Sequence, residues 1–240
     1  MSDKIAGFDG REYGLGRLSK EDDRDFLMWE SPLRVADSDR RSRYWYMGGA
    51  WLDQGSFPHC VAYSWTHWLE DGPVQQPRVP GDSAYADTLY KECQQHDEWP
   101  GENYDGTSVR AGAKVLHSRG LISSYFFAFD IESVKLAVLE RGPVVVGTTW
   151  HRSMFRPTRY DQRTYVCKID QTSGNAGGHA YVLNGISLDK EIDGVTGFFR
   201  LKNSWGRDWA FSGRCFISIE DVARLLDDDG EMCIATESSV

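Results

Sequence analysis

An α+β fold, with a helical lobe packed against a β-sheet lobe and a cleft between them, is predicted by three observations. Amphipathic helical segments crowd residues 51–142, strand-like runs crowd residues 143–240, and the two kinds follow one another instead of alternating. Two lobes that share a core leave their ligand site at the junction. The length of 240 residues and a composition with 40% hydrophobic residues, including 9 Trp, 11 Tyr and 11 Phe, suffice for a large core without staples.

Residues 1–50 come first and read as an extended N-terminal arm. They are charged and turn-rich, with Asp22-Asp23-Arg24-Asp25 and Arg40-Arg41-Ser42-Arg43, and carry no sustained apolar period. The body spans 51–240, a helical lobe over 51–142 and a β lobe over 143–240. Cys60 to Glu70 places Val61, Ala62, Trp65, Trp68 and Leu69 on a helical face closed by Asp71-Gly72-Pro73. Asp82 to Gln95 and Ser108 to Ser118 read as helices, the second capped by Thr107 or Ser108 and stopped by Gly120. Asp130 caps a fourth helix, Ile131 to Arg141, ended by Gly142-Pro143. Beyond Pro143 the period shortens to 2 or gives way to β-branched runs: Val144–Thr149, Tyr165–Ile169, His179–Ile186, Gly197–Lys202 and Cys215–Ile219.

Charge and cysteine usage narrow the function classes. With 27 Lys plus Arg against 36 Asp plus Glu, a net charge of −9, the chain is a poor match for phosphate backbones, so nucleic acid is not an expected partner. The N-terminus lacks a signal-type apolar region and no stretch approaches the ~20 apolar residues of a spanning helix, so a membrane is not expected either. Five cysteines at uneven spacing, with no CxxC pair, suit neither a disulfide framework nor a metal site. No metal and no cofactor are expected, all five thiols are expected to be reduced, and a cytoplasmic location follows, or a virion if the gene is a phage's. Arg outnumbers Lys 19 to 8, a bias of GC-rich bacterial or phage genes.

Three segments carry chemistry. Asp53-Gln54-Gly55-Ser56-Phe57-Pro58-His59-Cys60 leads through turn residues into the first turn of an apolar helix, where free N–H groups and the helix dipole favour a thiolate at Cys60. Taken alone, a cysteine there is more often core. Gly177-Gly178-His179-Ala180 sets a histidine on a strand behind glycines that admit close approach of a backbone or ligand. Leu201-Lys202-Asn203-Ser204-Trp205-Gly206 ends a strand with an amide beside an indole.

In this order, and with Gln54 six positions before Cys60, the segments resemble the papain-like cysteine peptidases, over about Asp53 to Ile219 and extending to a closing strand and helix at Ile217–Leu226. Asn203 lies 143 residues beyond Cys60, within the ~130–150 of that family, whereas His179 at 119 is early and implies shorter loops. The resemblance implies a papain-like two-lobe fold and a thiol hydrolase acting on a peptide or protein substrate. It makes Cys60 the nucleophile, His179 its acid–base partner, Asn203 the group that orients the imidazole, and Gln54 with the Cys60 N–H the oxyanion hole. It makes Trp205 a shield for the His–Asn contact and Gly106, Thr107, Ser108, Gly178 and Trp205 the walls that meet substrate. The sequence departs from the family's Cys-Gly-Ser approach, carrying Phe57-Pro58-His59 instead. Phe57 removes the usual disulfide partner and Pro58 narrows or re-aims the cleft wall. His59 is either a second imidazole tuning the thiolate or a solvent-facing residue.

Two alternatives stand beside the peptidase: a structural or binding subunit of a larger assembly such as a phage particle, and an amidase of cell-wall peptides. The arm is too short for the usual inhibitory propeptide and lacks its long helical pattern, so either no zymogen exists or control comes from elsewhere, and the arm itself is expected to contact a neighbouring subunit in a homo-oligomer or larger assembly. The basic, aromatic loop His151–Arg163 reads as a solvated loop or a grip for an acidic partner.

Overall fold

The nine-stranded sheet at the centre of this computed structural model is apolar on both faces over part of its width, where alternate residues of a strand enter different cores. Residues 5–7, 9–20, 39–45, 51–73 and 79–238 are described. The strands are β1 (Ile5–Ala6), β2 (Glu12–Tyr13), β3 (Arg17–Leu18), β4 (Ser42–Tyr44), β5 (Thr107–Ser108), β6 (Ile122–Ala128), β7 (Val144–His151), β8 (Thr158–Arg159), β9 (Tyr165–Cys167), β10 (Asn175–Ile192), β11 (Val195–Lys202), β12 (Arg214–Ser218) and β13 (Glu231–Glu237). The helices are α1 (Cys60–Asp71), α2 (Ser83–His96), α3 (Val109–Ser118), α4 (Ile131–Glu140) and α5 (Ile219–Asp227). The large sheet runs β6-β13-β7-β10-β11-β12-β9-β8, with β4 added against β10. On one face Val145, Ala180, Val182, Cys233 and Ala235 meet α1, α2 and α3 around Trp65, Trp68 and Leu116. On the other Val144, Val146, Tyr181, Leu183, Met232 and Ile234 meet α4 and α5 through Val134, Val138, Val222 and Leu225. A strand's two-residue period makes this possible, and the Val144-Val145-Val146 run serves both cores at once.

The helices begin where side chains accept their free amides. Asp82 caps α2 by accepting from Tyr85 N, Ser108 caps α3 through Ala111 N, and Asp130 caps α4 through Ser133 N. Asp82 and Ser108 thus lie just outside the helices they were expected to open. Gly120, in the left-handed region at φ +69°, follows the end of α3. Four strands of the sheet were not anticipated, β4, β6, β8 and β13; of these β6 and β13 pair antiparallel from Ile122↔Glu237 to Ala128↔Met232. The strand expected at Tyr165–Ile169 ends at Cys167.

The arm is anchored on the body at several points. β4 pairs with β10, Arg41 N ε and Nη2 reach Asp189, and Trp45 Nε1 donates to Val138 O at 2.7 Å. β3 pairs in parallel with β5, Arg17 opposite Thr107 and Leu18 opposite Ser108. The charged run Asp22–Asp25 lies outside the described residues. All five cysteines are free and buried. Among the described residues no helix is long and apolar enough to cross a membrane, and no cluster of His, Cys, Asp and Glu has metal-binding geometry.

Candidate active site

Cys60 is the first residue of α1, and a buried network fixes this helix against the two strands carrying the other candidate groups. At the far end of α1, Asp71 takes Lys202 Nζ at 2.8 Å and Asn184 Nδ2 at 2.6 Å. Arg200 donates in turn to Asn184 Oδ1 at 2.8 Å. Lys202 immediately precedes Asn203, and Asn184 lies five residues beyond His179 on β10, so the ion pair ties the helix to both strands.

At the near end, the Cys60 sulfur lies against the main-chain amide of Ala180, the residue after His179. His179 Nε2 is 2.8 Å from Asn203 Oδ1, and its Nδ1 is buried without a hydrogen-bond partner. Asn203 Oδ1 also accepts from Ser204 N at 2.8 Å. The Trp205 ring stacks on the His179 ring with centroids 4.6 Å apart and planes at 23°, closing off the His–Asn contact from one side. Trp150 and Phe155 pack edge-on and face-on against Trp205, so a buried aromatic cluster holds the imidazole plane. Phe155 belongs to the basic loop expected to be solvated; that loop buries Met154 and Phe155 and exposes its arginines.

Gln54 is 1% exposed and held at its oxygen by Ser204 Oγ at 2.6 Å. Its Nε2 donates to Phe57 O at 2.8 Å and to Gly14 O at 3.1 Å. The amide expected to face a substrate therefore faces the arm. Gly14 N also donates to Gly55 O at 3.0 Å, Thr107 N donates to Gly16 O at 2.9 Å, and the main chain of Gly16 touches the Cys60 sulfur. Tyr13 packs against Trp205 with centroids 4.5 Å apart and planes tilted at 49°, and Arg110 Nη1 donates to Lys20 O at 3.0 Å. Residues 13–20 thus run as an extended polypeptide from Trp205 across Cys60 and along Gly106, Thr107 and Ser108.

Glycines make this path passable. A Cβ on Gly14 would stand 1.9 Å from Phe57 O, one on Gly16 2.1 Å from Pro58 O, and one on Gly178 2.1 Å from Arg17 O. The Phe57-Pro58 departure therefore forms a wall whose carbonyls leave room only for glycine. Gly106, at φ +100°, lies under Gly16 O. Thr107 and Ser108 offer the cleft their main chain, since their hydroxyls bind Asp97 at 2.8 Å and Glu98 at 2.7 Å. His59 neither faces solvent nor tunes Cys60: its Nδ1 is 2.8 Å from Asp87 Oδ1 and its ring stacks on Tyr90 at 3.9 Å.

The cover overturns two expectations. Either no zymogen or control from outside the arm was expected, yet the arm fills the cleft. Cys60 was expected to be a low-pKa thiol; burial instead pushes it up to about 11, against the amides of Ala180, Gly16 and Val61 that favour the thiolate. Burial likewise lowers His179 to about 4, outweighing the bond to Asn203. A charged pair in a dry cleft loses more hydration than its mutual attraction returns, so the covered site holds a thiol and a neutral imidazole. Sequence reasoning missed Gly14, Gly16, Arg17 and Glu231; the Gly-x-Gly of Gly14-Leu15-Gly16 was the available signal.

No family model matches the sequence, and no curated protein sequence matches it. Solved structures do. Xylellain, a cysteine protease from Xylella fastidiosa, superposes with a TM-score of 0.67 at 16% identity, covering 95% of this chain and 96% of that one. The proform of the ragweed pollen cysteine protease Amb a 11 gives 0.63 at 16%, covering 85% and 67%. The bromelain protease from Ananas comosus, bound to the inhibitor E64, gives 0.56 at 12%, covering 82% and 99%. The chain has the papain-like cysteine-protease fold.

Proposed function

We propose that this papain-like chain is a cysteine peptidase kept latent by its own residues 13–18. The observation that carries the reading is the arm itself: the cleft beside Cys60 accommodates an extended polypeptide by bonding its main chain, with Gln54 Nε2 and Thr107 N donating to it and Gly55 O accepting from it. A site of this kind recognises backbone, which every peptide substrate supplies. Support for the chemistry comes from His179, whose Nε2 is occupied by Asn203 while Nδ1 is free of partners.

Once the arm withdraws and water enters, Nδ1 takes the Cys60 proton and the thiolate attacks the carbonyl carbon of the scissile bond. The carbonyl oxygen gains charge and is held by Gln54 Nε2, freed from Gly14 O, and by the Cys60 N–H. The imidazolium then protonates the departing amine, leaving a thioester that water cleaves with His179 as base. Asn203 keeps the imidazole in the tautomer that presents Nδ1 to sulfur. The test is hydrolysis of a mixed peptide library by the full chain carrying Gly16→Val, which cannot seat the arm. Cleavage that disappears on adding Cys60→Ala is expected; cleavage that survives this second substitution would refute the reading.

A further inference from the structure

We infer that a hollow on the β lobe, walled by β4, β10, β11 and β12, binds a small anion carrying a chain of phosphate groups. It shares none of its lining residues with the cleft, and the inference stands whether or not the chain is a peptidase.

The hollow follows from the register of the sheet. Tyr44, Gly185, Arg200 and Phe216 are direct neighbours across β4, β10, β11 and β12, so this row of residues shares one face of the sheet. Gly185 gives that row space: a Cβ there would stand 2.4 Å from Tyr44 Cδ1. Arg214, two residues before Phe216, returns to the same face. Lys190 of β10 and Arg163, from the turn before β9, complete a cavity of about 340 Å³. That volume lies at the low end of the ~300–1,000 Å³ of small-molecule sites, which suits a compact ligand and not a polymer.

Four cations therefore converge in a protein of net charge −9, and no acidic residue is among the described residues that line the hollow. Aromatic rings meet them instead. Lys190 Nζ lies 4.4 Å over the Phe216 ring, the Arg200 guanidinium 4.9 Å over Tyr44, and that of Arg214 4.9 Å over Phe211. A ring attracts a cation without cancelling its charge, so the positive field remains open to the hollow. Asp161, which acts on Lys190, is exposed and fastened within its own turn by Arg163 N and Thr164 N.

Arg200 is set in position in advance, since its Nε and Nη2 donate to Asn184 Oδ1, Asn184 O and Trp45 O. Burial pushes it down to about 10, with Arg214 adding to the effect against the pull of Asp71, and burial lowers Arg214 too. Asp71, the carboxylate acting on both, is already engaged by Lys202 Nζ and Asn184 Nδ2. Two guanidinium groups of like charge thus share a partly dry wall, an arrangement that an entering anion relieves. One carboxylate would satisfy one fork of N–H groups. A chain of phosphates presents several charges on adjacent tetrahedra, which matches three guanidinium groups and an ammonium spread around one hollow.

The test is calorimetric titration of the full chain, in magnesium-free buffer, with inorganic tripolyphosphate, ATP and citrate. Tripolyphosphate is expected to bind at least about tenfold tighter than citrate, and Lys190→Ala combined with Arg163→Ala to weaken it at least about tenfold. Lys190 is half-buried and Arg163 exposed, so the fold should survive, which far-UV circular dichroism checks. Arg152→Ala removes an exposed cation outside the hollow and should leave binding unchanged. ATP binding tighter still would place a nucleoside on the rings, and ATP binding no tighter would make the phosphates the whole determinant; either result upholds the proposal. Absence of tripolyphosphate binding, citrate binding as tightly, or a loss with Arg152→Ala equal to that of the double variant would overturn it.

Discussion

Burial sets the ionisation of the two groups at the centre of the cleft, and the sign of its effect predicts how pH opens the arm. His179 is lowered from 6.5 to about 4 under cover, so below pH 6.5 a hydrated histidine binds a proton that the covered one refuses. Acid therefore favours the open form, and the closed form loses its advantage as pH falls from 6.5 towards 4. Cys60 is raised from 9.0 to about 11, so above pH 9 a hydrated thiol ionises before the covered one and alkali opens the arm too. Between those limits closure is strongest. Labelling of Cys60 in the unmodified chain by a neutral peptide electrophile is expected to rise as pH falls from 7.5 to 5, where a simple thiol would slow down. A rate that falls throughout that range would contradict this account. Gln54 provides a second residue-scale expectation: in the Gly16→Val background, Gln54→Ala should lower kcat by ~10²–10³ by removing one oxyanion donor. Asn203→Ala should leave a measurable fraction of activity, since it degrades orientation and not the nucleophile.

Among elements, the junction of α1 with β10 and β11 decides whether those residues can act together. Lys202 and Asp71 are 3% and 0% exposed at the side chain, 2.8 Å apart, with Asn184 and Arg200 completing the network. Removing one charge strands the other in a low-dielectric interior. Lys202→Met is expected to lower unfolding stability by about 3–5 kcal/mol, measured by urea denaturation. The double change Lys202→Met with Asp71→Leu should recover much of that loss, because an apolar pair of similar volume leaves no buried charge. Losses that simply add would indicate that the two residues do not act as a pair. The caps were legible because Asp82, Ser108 and Asp130 act within three residues of themselves. β6 and β13 were not, because their partners are about a hundred residues away and Ile122–Ala128 alternates poorly, with Ser123 and Ser124 exposed.

For the molecule as a whole the arm is a third component beside the two packed faces of the sheet. It joins the core through Tyr13, Leu15 and Trp45, yet its passage over Cys60 depends on Gly14 and Gly16. Gly16→Val places a side chain against Pro58 O, a main-chain atom that cannot move aside cheaply, so the arm should leave the cleft while both cores remain. The expected result is an unchanged far-UV spectrum, faster proteolysis within residues 1–20 and a large rise in the alkylation rate of Cys60. An alkylation rate equal to that of the unmodified chain would mean that the arm does not cover the nucleophile in solution. The described arm residues thus lie on the chain's own cleft and sheet.

The sequence by itself determined whatever local chemistry and period can express: helices opened by capping side chains, strands written as alternating or β-branched runs, and motifs that name Cys60, His179, Asn203 and Gln54. Those four positions come from three segments spread over 150 residues, and order along the chain does not carry their distances. Only the tertiary structure decided that Ala180 would press on the Cys60 sulfur, that Gln54 would turn its amide to Gly14, and that Arg17 would sit over Glu231 across 214 residues. The ionisation of the site was decided there too. A cysteine at a helix start favours the thiolate through its local dipole, but exclusion of water by a distant segment outweighs that dipole, and which segment excludes the water is not written near the cysteine.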